Sequence, residues 1–450
     1  MDLNPPARPV EDRWRRSPAS LSLPEVHGSV PVPVTASFWR KLFAFAGPGY
    51  LVAVGYMDPG NWATDLAGGA RYGYTLLSVV MLSNLMAILL QALSARLGIA
   101  SGRDLAQACR DSYGRGTTIA LWIICEIAIA ACDLAEVIGA AIALNLLFHL
   151  PLLWGVCLTA LDVLIVLYVQ QRGFRYVEAL VVMLIVAIAG SFAVELYLSR
   201  PAMGPLARGF WPNPEIVRNR DMLYIAIGIL GATVMPHNLY LHSSIVQTRK
   251  YGDSLESKRE AIRFASIDSA VALMAALFIN AAILVMAAAT FHGTPHESVA
   301  DISDAYQLLT PLLGTQLAST LFAVALLCSG QNATLTGTLA GQSVMDGLTG
   351  FRIPLWLRRI ITRGINLIPI TFAIILGIEP LKILVLSQVV LSLLIPLPLV
   401  PLIIYTADKN IMGELVNKKI TTIFAVIFGL VILGFNSYLL YQVLFNGVGI

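Results

Sequence analysis

Charged residues are scarce in this chain. Only 13% of its 450 residues are Asp, Glu, Lys or Arg, whereas 57% are hydrophobic, and the mean hydropathy is +0.74. Soluble domains carry about 25% charged residues, so the composition excludes an ordinary soluble protein. The net charge of +3 is too small to indicate nucleic-acid binding. We therefore expect a polytopic membrane protein that has no nucleic-acid partner.

Several sequence signals of other protein classes are missing. The five cysteines show no CxxC or other paired spacing, which excludes a disulfide frame or a cysteine metal cluster. No HExxH spacing occurs, which argues against a membrane-embedded metalloenzyme. Residues 1–38 are rich in Pro, Arg and Ser and contain no apolar stretch of signal-peptide type, so we predict a disordered cytoplasmic tail there.

Long apolar segments occupy the rest of the chain. A membrane helix needs about 20 mainly apolar residues, and this rule predicts eleven spans. They lie near residues 42–69, 73–97, 117–148, 150–170, 178–199, 221–247, 265–291, 304–347, 358–378, 380–406 and 420–446.

The basic residues predict the orientation of these spans. If the N-terminus is cytoplasmic, 24 of the 30 Lys and Arg residues fall on the cytoplasmic side. The six left outside are Arg71, Arg200, Arg208, Arg218, Arg220 and Lys382. Because cytoplasmic loops carry the excess of Lys and Arg, we expect a cytoplasmic N-terminus and an extracytoplasmic C-terminus in a plasma (inner) membrane.

Span one contains the sequence Asp58-Pro59-Gly60-Asn61. Proline removes a backbone donor and glycine removes helical preference, so the helix should unwind at this point. Unwound backbone at membrane depth is typical of transporter ion sites. A charged residue in the middle of a membrane is a candidate functional residue, although a proline kink with a capped aspartate is the simpler alternative.

Span six repeats this pattern as Met235-Pro236-His237-Asn238. Two interrupted helices five spans apart indicate inverted repeats with a binding site between them. We therefore predict an all-α protein made of a first five-helix repeat (39–200), a second, inverted five-helix repeat with its preceding extracellular loop (201–408) and an additional eleventh helix (409–450).

The two breaks together would bind a cation. They offer the carboxylate of Asp58, the amide oxygen of Asn61, the thioether of Met235 and freed carbonyls, of which those of Ala232 and Asp58 are nearest. Oxygen ligands alone suit Na⁺, Mg²⁺ or Ca²⁺, whereas a thioether favours softer metals. The set indicates Mn²⁺ or Fe²⁺ as the transported substrate, with Co²⁺, Zn²⁺ or Cd²⁺ as competitors. The alternative for Met235 is a flexible core residue.

Other polar residues are candidates for supporting roles. Gln388 in span ten and Asn280 in span seven could complete the metal coordination or could join helices by hydrogen bonds. His237 and His242 are better suited to titration than to metal binding. Gly60, Asn280 and His242 are the candidates for an outer shell around the metal.

Span three carries three acids, Glu126, Asp133 and Glu136, in an otherwise apolar helix. Such residues require polar partners or bound protons. We interpret them, with Asp58 and His237, as a proton pathway, and expect Arg363 of span nine as their cation. A buried salt-bridge cluster without proton transfer is the alternative.

The two motifs on eleven spans resemble the Nramp divalent-metal transporters, in particular the bacterial proton-coupled manganese transporters. The resemblance covers about residues 40–446. It implies a LeuT-type fold, alternating access and inward co-transport of Mn²⁺ or Fe²⁺ with protons, by a functional monomer without a cofactor or enzymatic activity. Its metal ligands would be Asp58, Asn61, Ala232 (carbonyl) and Met235, with Gln388 joining in some states.

Two other functional classes stay open from the sequence. A Na⁺-coupled symporter of amino acids or other organic solutes could share the fold, but it would leave Met235 without a role. A channel is also physically possible, and only saturable, pH-dependent flux would exclude it.

Overall fold

The computed structural model of the chain is almost entirely helical. It describes residues 21–33, 37–159, 161, 168–169, 172–297, 302–377 and 379–446. The broken spans one and six lie at its centre, and the last helix lies at its periphery, with only 22% of its apolar window buried. Large apolar side chains such as Val186, Ile368 and Leu430 point outward, which is the arrangement expected of a surface that faces lipid.

Span one consists of two half-helices, Pro48–Gly55 and Pro59–Tyr72, preceded by the short helix Phe38–Phe45. Following the predicted orientation of the chain, we call the first the inner and the second the outer half-helix. Asp58 adopts an extended conformation and caps the outer half-helix, where its side chain accepts a hydrogen bond from the backbone N–H of Asn61. Proline is favourable at the first position of a helix because its missing N–H would have no partner there. The Asp-Pro pair thus ends one helix and begins the next, as predicted.

Span six is broken in the same way. Its outer half-helix is Arg220–Thr233 and its inner half-helix is Pro236–Ile245, and Met235 occupies the position that corresponds to Asp58. Pro236 cannot donate a backbone hydrogen bond, so the carbonyl four residues earlier, that of Ala232, has no helical donor. The break therefore creates the free carbonyl that the sequence predicts.

Seven of the described helical segments are long and apolar enough to cross a membrane, and they correspond to spans two, three, five, six, seven, ten and eleven. The remaining predicted spans are the broken span one, span four, and spans eight and nine. The helices of the unbroken spans are Leu77–Ser101, Arg115–Phe148, Phe174–Ser199, Leu255–Phe291, Gln316–Thr349, Leu355–Ile375 and Lys419–Asn446. Span ten is formed by Pro380–Leu394 and Pro396–Ala407.

Short helices connect these spans. They are Leu105–Ser112, Met203–Gly209, Glu215–Arg218, Ile302–Leu313, Lys409–Met412 and the 3₁₀ turns Val246–Thr248 and Gly413–Leu415. Within predicted span four the structure describes the helix Leu152–Thr159, and most of residues 160–171 lie outside the described part.

Predicted span eight, 304–347, is two helices instead of one. Ile302–Leu313 ends at Gly314, whose φ of 72° is in the left-handed region. Thr315 then caps Gln316–Thr349 by accepting a hydrogen bond from the N–H of Leu317. A left-handed glycine followed by a capping threonine is a helix stop and start, so only the second helix forms the span.

Part of the predicted disordered tail has a defined conformation. Strand β1 (Val30–Pro31) pairs in parallel with strand β2 (Arg249–Lys250), which follows span six. The hydroxyl of Ser22 donates to Asp104 at 2.5 Å and lies 2.6 Å from the hydroxyl of Ser244. Backbone pairing and a buried hydrogen bond hold this segment against the end of span six and against Asp104, although its composition is typical of disorder. Residues 1–20 and 34–36 lie outside the described part.

Candidate functional site

The breaks of spans one and six meet in the interior. The side chains of Asp58, Asn61, Met235 and Gln388 are all at most 1% exposed. A β-carbon at Gly55 would lie 3.3 Å from the sulfur of Met235, and one at Gly60 would collide with the amide of Gln388. The structure therefore brings span ten against the break of span one, and span one against the break of span six.

Several acceptor atoms at this place have no donor. Within the part of the chain that the structure describes, Asn61 Oδ1, Gln388 Oε1 and Asn238 Oδ1 accept no hydrogen bond. Leaving a buried acceptor unsatisfied costs about 1–3 kcal/mol. A bound cation would satisfy two of them, Asn61 and Gln388, together with the carboxylate of Asp58, so this donor set fits a metal ion as substrate.

The carboxylate of Asp58 has different neighbours on its two oxygens. Oδ1 accepts the N–H of Asn61 at 2.8 Å. Oδ2 lies 3.7 Å from the sulfur of Cys132 in span three, a weak donor. One oxygen is thus fixed by the helix cap, and the other faces a partner that a metal or a proton could replace.

Asn280 acts on the unwound backbone. Its side-chain NH₂ donates to the carbonyl of Tyr56 at 2.8 Å, and the hydroxyl of Ser329 donates to the carbonyl of Met57. These two bonds satisfy carbonyls that the break of span one exposes. Asn280 thus joins span seven to the break of span one by a hydrogen bond, which is one of the two roles considered for it from the sequence.

The two histidines differ in their contacts. His237 is buried and its Nδ1 has no hydrogen-bond partner among the described residues. Nδ1 of His242 lies 3.0 Å from Gln91 Oε1, and Gln91 donates to the hydroxyl of Tyr56 at 2.7 Å. His242 is therefore linked through span two to the break of span one, while His237 is next to the break of span six.

The acids of span three lie along a path from the site to span nine. A carboxylate oxygen of Glu136 is 3.7 Å from the sulfur of Cys132, and another accepts from Thr334 at 3.3 Å. Asp133 accepts from Asn366 of span nine at 2.6 Å. Cys132 thus stands between Asp58 and Glu136, a role that sequence reasoning missed although the cysteine is four residues before Glu136.

Arg358 is the described cation at the end of this path. Its guanidinium donates to both carboxylate oxygens of Glu126, at 3.0 and 2.8 Å. A cavity of about 10 Å³ lined by Arg358 and Asp133 separates this pair from the next acid. The predicted partner, Arg363, has a side chain outside the described part of the structure.

Two further buried acids were also missed. Asp65 lies in the outer half of span one, seven residues beyond Asp58, and Glu195 lies in span five. Neither carboxylate has a hydrogen-bond partner in the described residues. The sequence offers a signal for Asp65, since it is the second acid of span one. Glu195 belongs to no motif or spacing that would have indicated a role.

Buried polar contacts hold the inner half-helix of span one in place. Arg249 pairs with Glu178 at 2.7 Å, and its guanidinium also donates to the carbonyls of Phe45 and Ala46. Asp268 accepts from two backbone N–H groups at the start of span one. These bonds hold the inner half-helix of span one against spans five, six and seven.

Comparisons with known proteins agree with this architecture. The profile of the family described as "Nramp: Natural resistance-associated macrophage protein-like" matches residues 49–442. The divalent metal cation transporter MntH of Nostoc sp. is 59% identical over 94% of this chain and 97% of its own length. The protein of the same name from Mesorhizobium japonicum is 56% identical over 95% of each chain.

Solved structures give the fold. The manganese transporter of Eremococcus coleocola, in complex with an aromatic bis-isothiourea substituted compound, has a TM-score of 0.86 and 39% identity, covering 96% of this chain and 93% of that one. Mhp1, a transporter of the nucleobase-cation-symport-1 family, has a TM-score of 0.55 at 13% identity, covering 88% and 89%. The predicted LeuT-type fold is confirmed. The match over most of the chain shows that this multi-pass membrane protein is a member of the Nramp family.

Proposed function

We propose that this chain is a secondary transporter that imports Mn²⁺ and Fe²⁺ by alternating access coupled to protons. The observation that carries the proposal is the buried meeting of Asp58, Asn61, Met235 and Gln388 at two helix breaks, with acceptor oxygens that lack donors. The names of the relatives, divalent metal cation transporter and manganese transporter, support it.

The ligand set favours transition metals over Ca²⁺ and Mg²⁺. The described residues contain no group of three or more His, Cys, Asp and Glu side chains placed to hold a metal, so the site would use mixed ligands. Asp58, Asn61, Gln388 and the carbonyl of Ala232 supply hard oxygens. Met235 supplies one soft sulfur, which stabilises Mn²⁺ or Fe²⁺ and adds little for the harder ions. Co²⁺, Zn²⁺ and Cd²⁺ would compete.

Protons would leave the site along span three. A metal requires the deprotonated carboxylate, so its arrival displaces the proton of Asp58. Glu136, reached past Cys132, is the next acid. Beyond it, Asp133 and the Glu126–Arg358 pair continue toward span nine. His237 borders the other side of the site.

Import requires the cytoplasmic closure to open. The Arg249–Glu178 pair and the hydrogen bonds of Asp268 must break for the inner half-helix of span one to move. In this proposal the N-terminus is cytoplasmic, the C-terminus is extracytoplasmic, the protein lies in the plasma (inner) membrane as a functional monomer, and it needs no cofactor and performs no enzymatic reaction.

The test compares two isosteric changes in the same helix. Asp58→Asn should abolish Mn²⁺ uptake and internal acidification in proteoliposomes, because the ligand and proton acceptor is lost. Asp65→Asn, which removes a buried acid away from the breaks, should retain both. Uptake that persists in Asp58→Asn would contradict the proposal. Isothermal titration with Mn²⁺ and with a panel of amino acids tests the alternative of a Na⁺-coupled symporter, which would bind an amino acid.

A further inference from the structure

A second group of cavities lies on the extracellular side, above the level of the two breaks. The first is a pocket of about 600 Å³, lined by Tyr72, Tyr74, Arg200, Arg208, Trp211 and His292 among others. No Asp or Glu is among the described residues that line it. The guanidiniums of Arg200 and Arg208 make no hydrogen bond or ion pair within the described chain. The pocket therefore presents two unpaired positive charges, and we call it the basic pocket.

The second cavity is a groove of about 140 Å³ whose walls are almost wholly apolar. Span two, the outer half-helix of span six and span eleven form it; its lining includes Val79, Met86, Ala226, Leu230, Val431 and Phe435. Apolar cavities of roughly this volume stay dry and accept apolar molecules. We call it the apolar groove. Its wall from span eleven belongs to a helix that is mostly exposed on the outside of the protein, so the groove borders the lipid-facing surface.

The two cavities are neighbours at different depths. Asn213 lines both. The basic pocket lies at the extracellular ends of spans one, five and seven, where Trp211 is 80% exposed. The apolar groove extends along span two from Ser78 to Met86, about two turns of helix toward the membrane centre. A charged pocket at the interface above an apolar groove in the outer leaflet matches the two parts of a phospholipid.

We propose that these cavities together bind one outer-leaflet phospholipid, with its phosphate between Arg200 and Arg208 and one acyl chain in the apolar groove. Guanidiniums bind phosphate oxygens in a bidentate manner. Basic pockets between membrane helices bind lipid headgroups on the cytoplasmic side, and the same charge pairing is available to a basic pocket at the opposite interface. Tyr74 and Trp211 are aromatic residues of the kind that line the membrane interface. A soluble anion would use the basic pocket alone and would leave the apolar groove without a function.

The lipid would act on the moving part of the protein. Ala226 and Leu230 lie in the outer half-helix of span six, which ends at Thr233, directly before the break. A lipid acyl chain packed in the apolar groove would hold this half-helix against spans two and eleven. Phospholipid composition would then shift the equilibrium between closed and open states on the extracellular side.

Photocrosslinking tests the acyl-chain part. The full chain is reconstituted in phosphatidylcholine vesicles that contain phosphatidylglycerol with a diazirine on one acyl chain, and the labelled peptides are mapped by mass spectrometry. Residues 78–86 and 223–230 should be labelled. Ala226→Phe fills the apolar groove and should lower this labelling by roughly fivefold or more. The matched control, Ala187→Phe on the exposed face of span five, should leave it unchanged.

Charge variants test the headgroup part. Arg200→Gln/Arg208→Gln should remove the preference for labelled phosphatidylglycerol over labelled phosphatidylcholine. The control Arg218→Gln/Arg220→Gln changes two exposed arginines that do not line the basic pocket and should keep that preference. Gel filtration and thermal unfolding verify the fold of each variant. Uniform labelling of all lipid-facing helices, or full labelling of Ala226→Phe, would overturn the proposal. Loss of the label on adding soluble glycerol phosphate would instead assign the basic pocket to a soluble anion.

Discussion

Gly60 gives the sharpest test of the coordination proposed here. In most helix positions Gly→Ala stabilises by about 0.5–1 kcal/mol, because alanine loses less backbone entropy. At Gly60 the new methyl group would collide with the amide of Gln388. That amide is held by a 2.9 Å hydrogen bond to the hydroxyl of Ser387. Inserting extra atoms into a packed interior destabilises a protein by about 1–3 kcal/mol. Over most of that range this loss exceeds the stabilisation expected from replacing glycine by alanine.

If Gln388 must stay beside Asn61 to hold the metal, the collision raises the free energy of the metal-bound state. Gly60→Ala should then raise the Kd for Mn²⁺ by roughly five- to 150-fold in isothermal titration. The matched control is Gly190→Ala, because a β-carbon there meets no atom within 4 Å; it should leave the Kd unchanged. In a Gln388→Ala background, Gly60→Ala should no longer affect binding. A wild-type Kd for Gly60→Ala would show that Gln388 moves away freely and is not a ligand.

Three further predictions concern selectivity, protons and closure. Met235→Ala should keep Mn²⁺ uptake but allow Ca²⁺ or Mg²⁺ to compete in proteoliposomes, since only the thioether separates these ions; unchanged exclusion of Ca²⁺ would count against a sulfur ligand. Glu136→Gln should retain metal uptake with weakened acidification of the liposome interior, and normal acidification would remove Glu136 from the proton path. Glu178→Gln leaves Arg249 buried without its ion pair, so the free energy of unfolding, measured by denaturant titration, should fall by about 3–5 kcal/mol. An unchanged free energy of unfolding would mean that the pair is not needed for the closure.

The architecture was predictable where the pattern is local. Pro59 and Pro236 mark both breaks without tertiary information, because each lacks the N–H that a continuous helix would need and each stands in the repeated X-Pro-X-Asn pattern. Proline alone would not be enough, since Pro369 and Pro401 lie inside helices. The division of span eight at Gly314 was not predicted, since its hydrophobicity is continuous with the short helix before it. The conformation of residues 21–33 could not be read from composition either, because it depends on Asp104 and on strand β2, both far away in sequence.

The candidate site shows the same division. Asp58, Asn61 and Met235 follow from the alignment of the two breaks, and the structure brings them together. Which arginine pairs with Glu126 could not be predicted in this way, because several arginines lie at the start of span nine. Only the rotation and tilt of that helix bring Arg358 to the carboxylate. The position of Cys132 between Asp58 and Glu136 could not be read from the sequence, because it depends on the distances between spans one and three. Asp65 shows in the sequence only as a second acid in span one.

The separate environments of the two oxygens of Asp58 connect metal binding with proton release in the proposed mechanism. Oδ1 accepts the N–H of Asn61, which holds the carboxylate at the start of the outer half-helix. Oδ2 remains for either a proton or a metal ion, because the thiol of Cys132 is a weak competitor. In the proposed mechanism the proton and the metal ion therefore exclude each other on one atom, and Glu136, on the far side of Cys132, would receive the displaced proton. A Cys132→Ala variant should leave this exchange intact, since the thiol only separates the two acids. Lengthening the side chain in Asp58→Glu should break it, because the carboxylate would leave the helix cap and its second oxygen would move away from the shared position. Comparing the number of protons released per Mn²⁺ bound in the two variants distinguishes this shared-atom mechanism from one in which the proton and the metal occupy different residues.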